Sequence, residues 1–390
     1  MGAAADDRVA LARCVGDVDR FAEEVWGRSA LLCRSPGEGA FDDLLGLEAV
    51  DSLVTSTVLR LPAVRMVQDG RPLEPGRYTR RMRLGGRPID DVADPEKVTA
   101  RFAEGATLVL QGLHRYWLPL TRFCRSLERT LGHAVQSNAY VTPAGAQGLG
   151  LHADDHDVFT LQVLGRKSWQ AYAPGADVER VAPVIDAEVG PGDTLYLPRG
   201  AQHSARTTAS PSIHLTIGVL ATSWSEVLDE ALRAVEGLGL EEPLPFAWAS
   251  EGDGFEASVG SWLRRVGEAL VAADPAPVAT ALRQRSVARR GPLAVGSLAS
   301  LVVLDELDDS TVLRRREGSV AEVVPEGERV ALVLADRTLR LPAAVEPVLR
   351  LVVGSSTVRG VDLGDDVLDA PGRQVLLRRL VREGLLEAVR

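Results

Sequence analysis

Residues 192–203 read Gly-Asp-Thr-Leu-Tyr-Leu-Pro-Arg-Gly-Ala-Gln-His. Pro191-Gly192-Asp193 predicts a turn, and Thr194–Leu197 a short strand. Pro198-Arg199-Gly200 predicts a second tight turn, which delivers His203 at the start of the next strand. The pattern extends over 136–222, where short runs of period-two alternation are separated by Gly, Pro and Asp. Val158–Leu164 reads as a strand, Gly165-Arg166 as a turn, Lys167–Ala173 as its return strand and Ser212–Leu220 as another. Such spacing predicts an all-β sandwich or barrel. Helical patterns flank it. Residues 17–60 read as helix and loop, with Phe21, Val25 and Trp26 at helical spacing, then Leu44, Leu45, Leu47 and Val50. A helix is expected over Val98–Glu104, a strand over Ala106–Gln111, and a helix over Leu118–Leu131 capped by Gly132. Residues 224–272 carry an apolar stripe through Val227, Leu228, Leu232 and Val235. Ala272–Pro277 breaks it. From Pro292 a separate small α+β unit is expected, ending in a helix over Arg373–Ala388.

The chain has 390 residues, 45% hydrophobic and 25% charged. That suffices for full cores and excludes a disordered or fibrous chain. The net charge of −10 argues against a nucleic-acid coat or an anionic membrane surface. Cys14, Cys33 and Cys124 form no CxxC pair, which argues against a disulfide scaffold or a thiolate zinc site and fits a reducing cytoplasm. The start, Met1 to Asp7, has neither a signal-peptide pattern nor a myristoylation site, and no apolar run has the length of a membrane span. Only Lys97 and Lys167 are lysines among 44 basic residues.

Of six histidines, four fall in the β-rich region. The densest cluster is Leu151-His152-Ala153-Asp154-Asp155-His156-Asp157. On a strand, His152 and Asp154 share a face. Two neutral imidazoles and a carboxylate can hold non-haem Fe(II) and leave three positions open, whereas a structural zinc site is filled by protein. The second imidazole comes from the G-x5-P-x-G-x2-H turn ending at His203. The rival readings are blander. His152–His156 as a helical i, i+4 pair would resemble H-E-x-x-H, but Ala153 stands where the Glu belongs, and Gly148 and Gly150 disfavour a helix. His114 and His133 read as surface or core residues, Trp169 and Tyr172 as core, the cysteines as small buried groups, and the run Arg77, Arg80, Arg81, Arg83, Arg87 as a solvated loop able to grip an acidic partner. Residues 291–390 hold 13 arginines against 16 carboxylates, which favours protein contact over DNA binding.

H-x-D, then about fifty residues, then the G-x5-P-x-G-x2-H turn, resembles the JmjC branch of the cupin superfamily. Asn138-Ala139-Tyr140-Val141-Thr142-Pro143, Gln147-Gly148, His152-x-Asp154-Asp155, Leu161-Gln162, Gly165-Arg166-Lys167-x-Trp169 and His214-Leu215-Thr216 are similar to the ribosomal-oxygenase group of JmjC hydroxylases. The resemblance covers at least 98–222. It implies a mainly β, α+β fold: a double-stranded β-helix (jelly-roll) catalytic domain with an N-terminal helical region at 1–223, a helical dimerisation or linker region at 224–290 and a winged-helix-like domain at 291–390. It implies Fe(II), 2-oxoglutarate and O₂, and hydroxylation of a protein or peptide side chain, possibly ribosomal, by a cytoplasmic homodimer that needs no direct nucleic-acid contact. Carried over by position, His152, Asp154 and His203 would ligate iron. Lys167 would pair with the distal carboxylate of 2-oxoglutarate, and Asn138, Tyr140 and Thr216 would line that pocket. Asp155, His156 and His214 would face substrate or support the ligands. The chemistry would be iron-centred, with no separate acid or base residue. Lys167 is also singled out by composition, since a compact ammonium fits a narrow barrel where a guanidinium does not. The sequence departs from the relatives at Gly218, where they commonly carry a Ser that helps hold 2-oxoglutarate, at His156, and in the Arg-rich stretch before Asn138. Two other readings stand: a tailoring hydroxylase of a small natural product or modified peptide, and a non-catalytic cupin that binds a partner.

Overall fold

The structure is a computed structural model. It describes residues 8–35, 37, 39–146, 149–235, 237–246, 248–249, 253–291, 296–316 and 318–389. The readings at Met1 to Asp7, Gln147-Gly148 and Pro292 lie outside the described residues. The chain divides into two compact units, Met1–Ala221 and Thr222–Arg390.

In the first unit, α1 (Val9–Val15) is followed by β1 (Leu31–Cys33), α2 (Leu47–Ser56), β2 (Val64–Gln68), β3 (Arg71–Pro72), β4 (Thr79–Leu84), β5 (Arg87–Ala93), α3 (Pro95–Ala103), β6 (Thr107–Leu110), α4 (Leu118–Leu131) and β7 (Ala134–Thr142). Seven strands complete it: β8 (His152–Ala153), β9 (Asp157–Leu164), β10 (Lys167–Ala171), β11 (Ile185–Val189), β12 (Thr194–Leu197), β13 (Gln202–Thr207) and β14 (Ser212–Leu220). Two antiparallel sheets result, an eight-stranded one ordered β1-β12-β9-β14-β7-β6-β2-β3 and a four-stranded one ordered β11-β10-β13-β8. From β8 to β14 the chain passes repeatedly between the two sheets, with only β10 and β11 consecutive in one, the winding of a double-stranded β-helix.

β14 sits at the centre and explains how the cavity is lined. Its odd residues Ile213, Leu215, Ile217 and Val219 join the main core with Leu120, Phe123 and Leu127 of α4. Its even residues face the other way. His214 lies opposite Tyr140 and Gln162, Thr216 opposite Asn138 and Thr160, and Gly218 opposite Gln136 and Val158. One side of the sheet therefore packs on helices, and the other is a polar wall. α4 ends where expected, at Gly132, whose φ of 74° closes a left-handed cap onto the Glu128 carbonyl.

Several expectations are corrected. β10 is not the return strand of β9; it pairs with β11 and β13 in the other sheet. The Gly165-Arg166 turn thus carries the chain between sheets. Gly165 has φ +65°, and a Cβ there would come within 2.0 Å of the Pro211 carbonyl oxygen. The Arg77–Arg87 stretch is not a loop: most of it forms the β4–β5 hairpin, with Arg80, Arg81 and Arg83 exposed on β4 and Arg87 exposed on β5. β1 adds an edge strand to β12 inside a region read as helix and loop.

The second unit begins with α5 (Trp224–Ala234), α6 (Asp253–Ala272) and α7 (Pro275–Arg289), so the expected 224–272 helix is interrupted after Ala234. Glu226 pairs with Arg289 at 2.5 Å and Glu230 with Arg285, tying α5 to α7. Then come α8 (Ser297–Val302), β15 (Leu313–Arg315), β16 (Ala321–Glu326), β17 (Arg329–Leu334), β18 (Thr338–Pro342), α9 (Glu346–Gly354), β19 (Thr357–Val358), α10 (Ala370–Arg382) and β20 (Leu386–Ala388). Leu332, Leu349, Val352, Leu380 and Leu386 form its core. The last helix stops at Arg382; Gly384, at φ +82°, turns the chain into β20, which pairs with β15.

Candidate metal centre

β8 and β13 pair so that His152 lies directly opposite His203. Directly opposed residues share a face, and the two rings stand 4.3 Å apart between centroids. Asp154 follows β8, and its carbonyl accepts a hydrogen bond from Gly200 N at 3.0 Å, which ties the two ligand-bearing turns together. Its carboxylate Oδ2 lies 3.6 Å from His203 Nε2. One candidate ligand atom from each of His152, Asp154 and His203 falls within 4.8 Å of the others, the one such group of three among the described residues.

The hydrogen bonds select the tautomers. His152 Nδ1 lies 2.8 Å from the Gly150 carbonyl and His203 Nδ1 3.0 Å from the Ala201 carbonyl. A carbonyl only accepts, so Nδ1–H donates in both rings and each Nε2 keeps its lone pair. Burial holds the His203 pKa below its ordinary value, and the neighbouring His152 adds to this. Two neutral Nε2 atoms and one carboxylate are donors suited to a divalent transition metal, and three protein donors leave coordination positions open.

Lys167 begins β10 at the other end of the same cavity. It is only 3% exposed. Its Nζ donates to Thr142 Oγ1 at 3.1 Å and to His214 Nδ1 at 3.0 Å. An ammonium has only donors, so His214 Nδ1 accepts. Burial pushes the His214 pKa well down, with Lys167 and His203 contributing. Burial also pushes the Lys167 pKa down to about 7. Both its hydrogen-bond partners are uncharged, so this buried cation lacks a counter-charge. Tyr140 stacks on His214 (4.9 Å, 2°). Trp169 lies edge-on to His214 and roughly parallel to His203, 5.7 and 6.0 Å away. The Trp169 side chain expected in the core is buried, but it also forms the floor between the two ends of the cavity.

The cavity holds about 170 Å³, and Asn138, Tyr140, Thr216, His156 and His214 all line it with Lys167 and the triad. Asn138 Oδ1 accepts from Gly112 N at 3.0 Å, so its NH₂ is the end left for a ligand. Asp155 is exposed and does not line the cavity; its carboxylate holds His156 Nδ1 at 2.7 Å. The imidazole of His156 lies over Gly218, where a Cβ would meet His156 Nε2 at 2.5 Å. The space that a side chain at 218 would fill is taken by His156. His114 is a half-buried acceptor for Ser137 N at 3.1 Å, and His133 stacks on Trp26. Neither reaches the cavity.

Several lining residues were not singled out from the sequence, Arg65, Thr107, Gln136 and Thr160 among them. Thr160 sits on a strand that was read as such, and period-two counting from Asn138 and Thr216 would have found Gln136. Arg65 is a lone cation inside the apolar run Ala63–Val67, a signal that was available once 64–68 is read as a strand.

Residues 114–227 match the family model of the JmjC domain. The chain carries a JmjC domain. Ribosomal oxygenase 1 of Bos taurus is 28% identical over 244 residues, covering 58% of this chain and 35% of that protein. Ribosomal oxygenase 2 of Rattus norvegicus is 40% identical over 146 residues, covering 34% of this chain and 31% of that protein. A bifunctional lysine-specific demethylase and histidyl-hydroxylase, NO66, of Drosophila persimilis is 27% identical over 57% of this chain and 33% of its own length. The chain thus spans about a third of these relatives. Escherichia coli ribosomal oxygenase YcfD superposes with a TM-score of 0.56 at 17% identity, covering 96% of this chain and 99% of its own. YcfD in complex with cobalt and 2-oxoglutarate matches equally, at 0.56 and 17% over 95% and 97%. At that identity the likeness establishes the fold, a mixed α/β architecture with a JmjC β-helix. No helix among the described residues is long and apolar enough to cross a membrane.

Proposed function

We propose that this protein is an Fe(II)- and 2-oxoglutarate-dependent hydroxylase of protein side chains, with a ribosomal protein as substrate. The observation that carries the reading is that a two-His, one-carboxylate donor set and a buried ammonium without counter-charge face the same small cavity. The donors fit ferrous iron, and the lone ammonium fits one carboxylate of a dicarboxylic acid. His152, Asp154 and His203 hold the metal. Lys167 pairs with the distal carboxylate, while Asn138, Tyr140 and Thr216 line the cosubstrate pocket. His156 and His214 stand around it, with Asp155 fixing His156.

Bound ferrous iron supplies the redox chemistry by which O₂ and 2-oxoglutarate convert C–H to C–OH, yielding succinate and CO₂. The chain's own part is positioning. The backbone carbonyls of Gly150 and Ala201 hold both ligand imidazoles by Nδ1, which turns Nε2 toward the metal. Trp169 fills the floor and keeps water from the space between metal and lysine. No side chain is needed as a separate acid or base. The relatives named as ribosomal oxygenases support the substrate class. We read 1–223 as the catalytic domain, 224–290 as a helical region that joins two copies into a homodimer, and 291–390 as a small domain for protein contact, in a cytoplasmic enzyme.

Anaerobic titration of Fe(II)-loaded protein with 2-oxoglutarate tests this reading. A visible metal-to-ligand charge-transfer band is expected, and His203→Ala should abolish it. Iron-bound wild type without a band would overturn it in favour of a cupin of another chemistry.

A further inference from the structure

The cavity contains a second cation that the assignments above do not use. β2 pairs with β6 so that Arg65 faces Val109; β6 pairs with β7 so that Val109 faces Tyr140; β7 pairs with β14 so that Tyr140 faces His214. Directly opposed residues share a face, so Arg65, Tyr140 and His214 occupy one cross-strand row that ends beside Lys167. Val109 between them is short, and the long Arg65 side chain passes over it toward the Tyr140 hydroxyl, close enough for its charge to act on the phenol. Arg65 lines the cavity, and its Nε is buried without a hydrogen-bond partner among the described residues.

The sense in which Arg65 can engage the Tyr140 hydroxyl follows from the groups. A guanidinium only donates. The Tyr140 oxygen must accept, and its own proton is left to be donated to something else. Burial holds the phenol pKa above its ordinary value, so that proton stays in place near neutral pH. The row Arg65–Tyr140–His214–Lys167 therefore offers a ligand one ammonium and one oriented O–H, with a second positive charge behind the hydroxyl.

We propose that Arg65 is a positioning residue for the cosubstrate: it fixes the Tyr140 hydroxyl as a donor to the same distal carboxylate that Lys167 pairs, and so makes the pocket discriminate a dicarboxylic from a monocarboxylic 2-oxo acid. The inference rests on the cosubstrate reading above. A dianion gains from Arg65 and Lys167 together. A 2-oxo acid with a methyl group in place of the distal carboxylate gains from neither.

The test is anaerobic titration of the Fe(II)-loaded full chain with 2-oxoglutarate and, separately, with 2-oxovalerate, read by the charge-transfer band. Arg65→Gln should weaken 2-oxoglutarate about tenfold, the worth of one hydrogen bond to a charged group, and leave 2-oxovalerate unchanged. Tyr140→Phe should do the same, and the double variant should lose no more than either alone. Arg65→Gln that binds 2-oxoglutarate as wild type does, or that weakens both acids equally, overturns the proposal; the latter is what a merely structural residue would do. If Arg65→Gln does not fold, Tyr140→Phe decides, and undiminished discrimination in it also overturns the proposal. A wild type with no band for either acid sinks the cosubstrate reading itself, a different outcome from a wild-type band that Arg65 does not influence.

Discussion

The two ends of the cavity are built on opposite plans. At one end, His152, Asp154 and His203 come from a two-residue strand, the turn after it and the start of β13. The Asp154 side chain keeps 31% of its exposure while that of His203 keeps 6%. These groups are neutral or half-solvated, and a cation would draw them together. At the other end, Lys167 opens β10, a strand paired on both sides, and has two neutral partners. Here a charge has been desolvated in advance, and the ligand must bring the compensation. An end of the first kind binds by assembling, and its loss leaves a folded protein. An end of the second kind binds by relieving a cost already present, and its loss alters both affinity and stability.

The sharpest way to break this contrast is at the assembling end. Asp154→Ala or His203→Ala should lower metal affinity and 2-oxoglutarate turnover by more than about 100-fold, while the thermal midpoint of the metal-free protein stays near that of wild type. Metal content by elemental analysis, with turnover by succinate release, checks it; retained turnover in either variant would remove that residue from the ligand set.

Next in size is Lys167→Met. It removes the charge but keeps the volume of the stem. The KM for 2-oxoglutarate should rise by roughly 10- to 100-fold, the worth of a buried charge-assisted pair, with metal affinity unchanged. An unaltered KM would take Lys167 out of the site.

Stability should register the same lysine. Its folded pKa is about 7, well below the unfolded value of about 10.4. Between these limits the unfolded chain binds a proton that the folded chain does not, so stability rises with pH from about 7 to about 10 and levels off below 7. Ligand-free wild type should therefore gain about 2 kcal/mol more than Lys167→Met between pH 7 and pH 9. Urea midpoints of the two proteins at both pH values measure it, and parallel behaviour would mean that water reaches Lys167. Saturating 2-oxoglutarate should flatten the difference, because a carboxylate holds the ammonium charged.

The same contrast runs through what was legible in the sequence. The His152, Asp154 and His203 spacing was readable because local turn chemistry delivers each residue, through Gly200 and Pro198 on one side and the short β8 on the other. Thr194–Leu197, Ser212–Leu220 and Leu118–Leu131 were likewise written in local pattern, and the structure keeps those bounds. What was not readable depends on distant contacts. Gly165-Arg166 has the composition of a hairpin turn, and only the approach of Pro211, 46 residues away in number, shows why it crosses between sheets instead. Arg65 joins the cavity through two strand pairings that no local window contains. The Arg77–Arg87 stretch looked like a solvated loop because the hairpin is mostly exposed and shows no apolar alternation, although the register of β4 on β5 is regular apart from one irregularity between Arg80 and Met82.

The smallest effect concerns Gly218, which on sequence alone is a missing serine. A side chain at 218 would place Cβ 2.5 Å from His156 Nε2 and 2.6 Å from His156 Cδ2. These atoms belong to the far end of a rotatable side chain, so the collision is resolved by turning the imidazole away, not by moving the sheet. Turning it breaks the 2.7 Å bond to Asp155. Gly218→Ser should therefore cost about 1 kcal/mol, and His156→Val should make the same serine nearly free. A double-mutant cycle on thermal midpoints reads the coupling as the difference between these costs. Coupling near zero would mean that His156 leaves its place over Gly218 without penalty. Coupling of about 1 kcal/mol would mean that the two positions, 62 residues apart, are one structural choice: a histidine reaching across from the ligand-bearing turn in place of a side chain on β14.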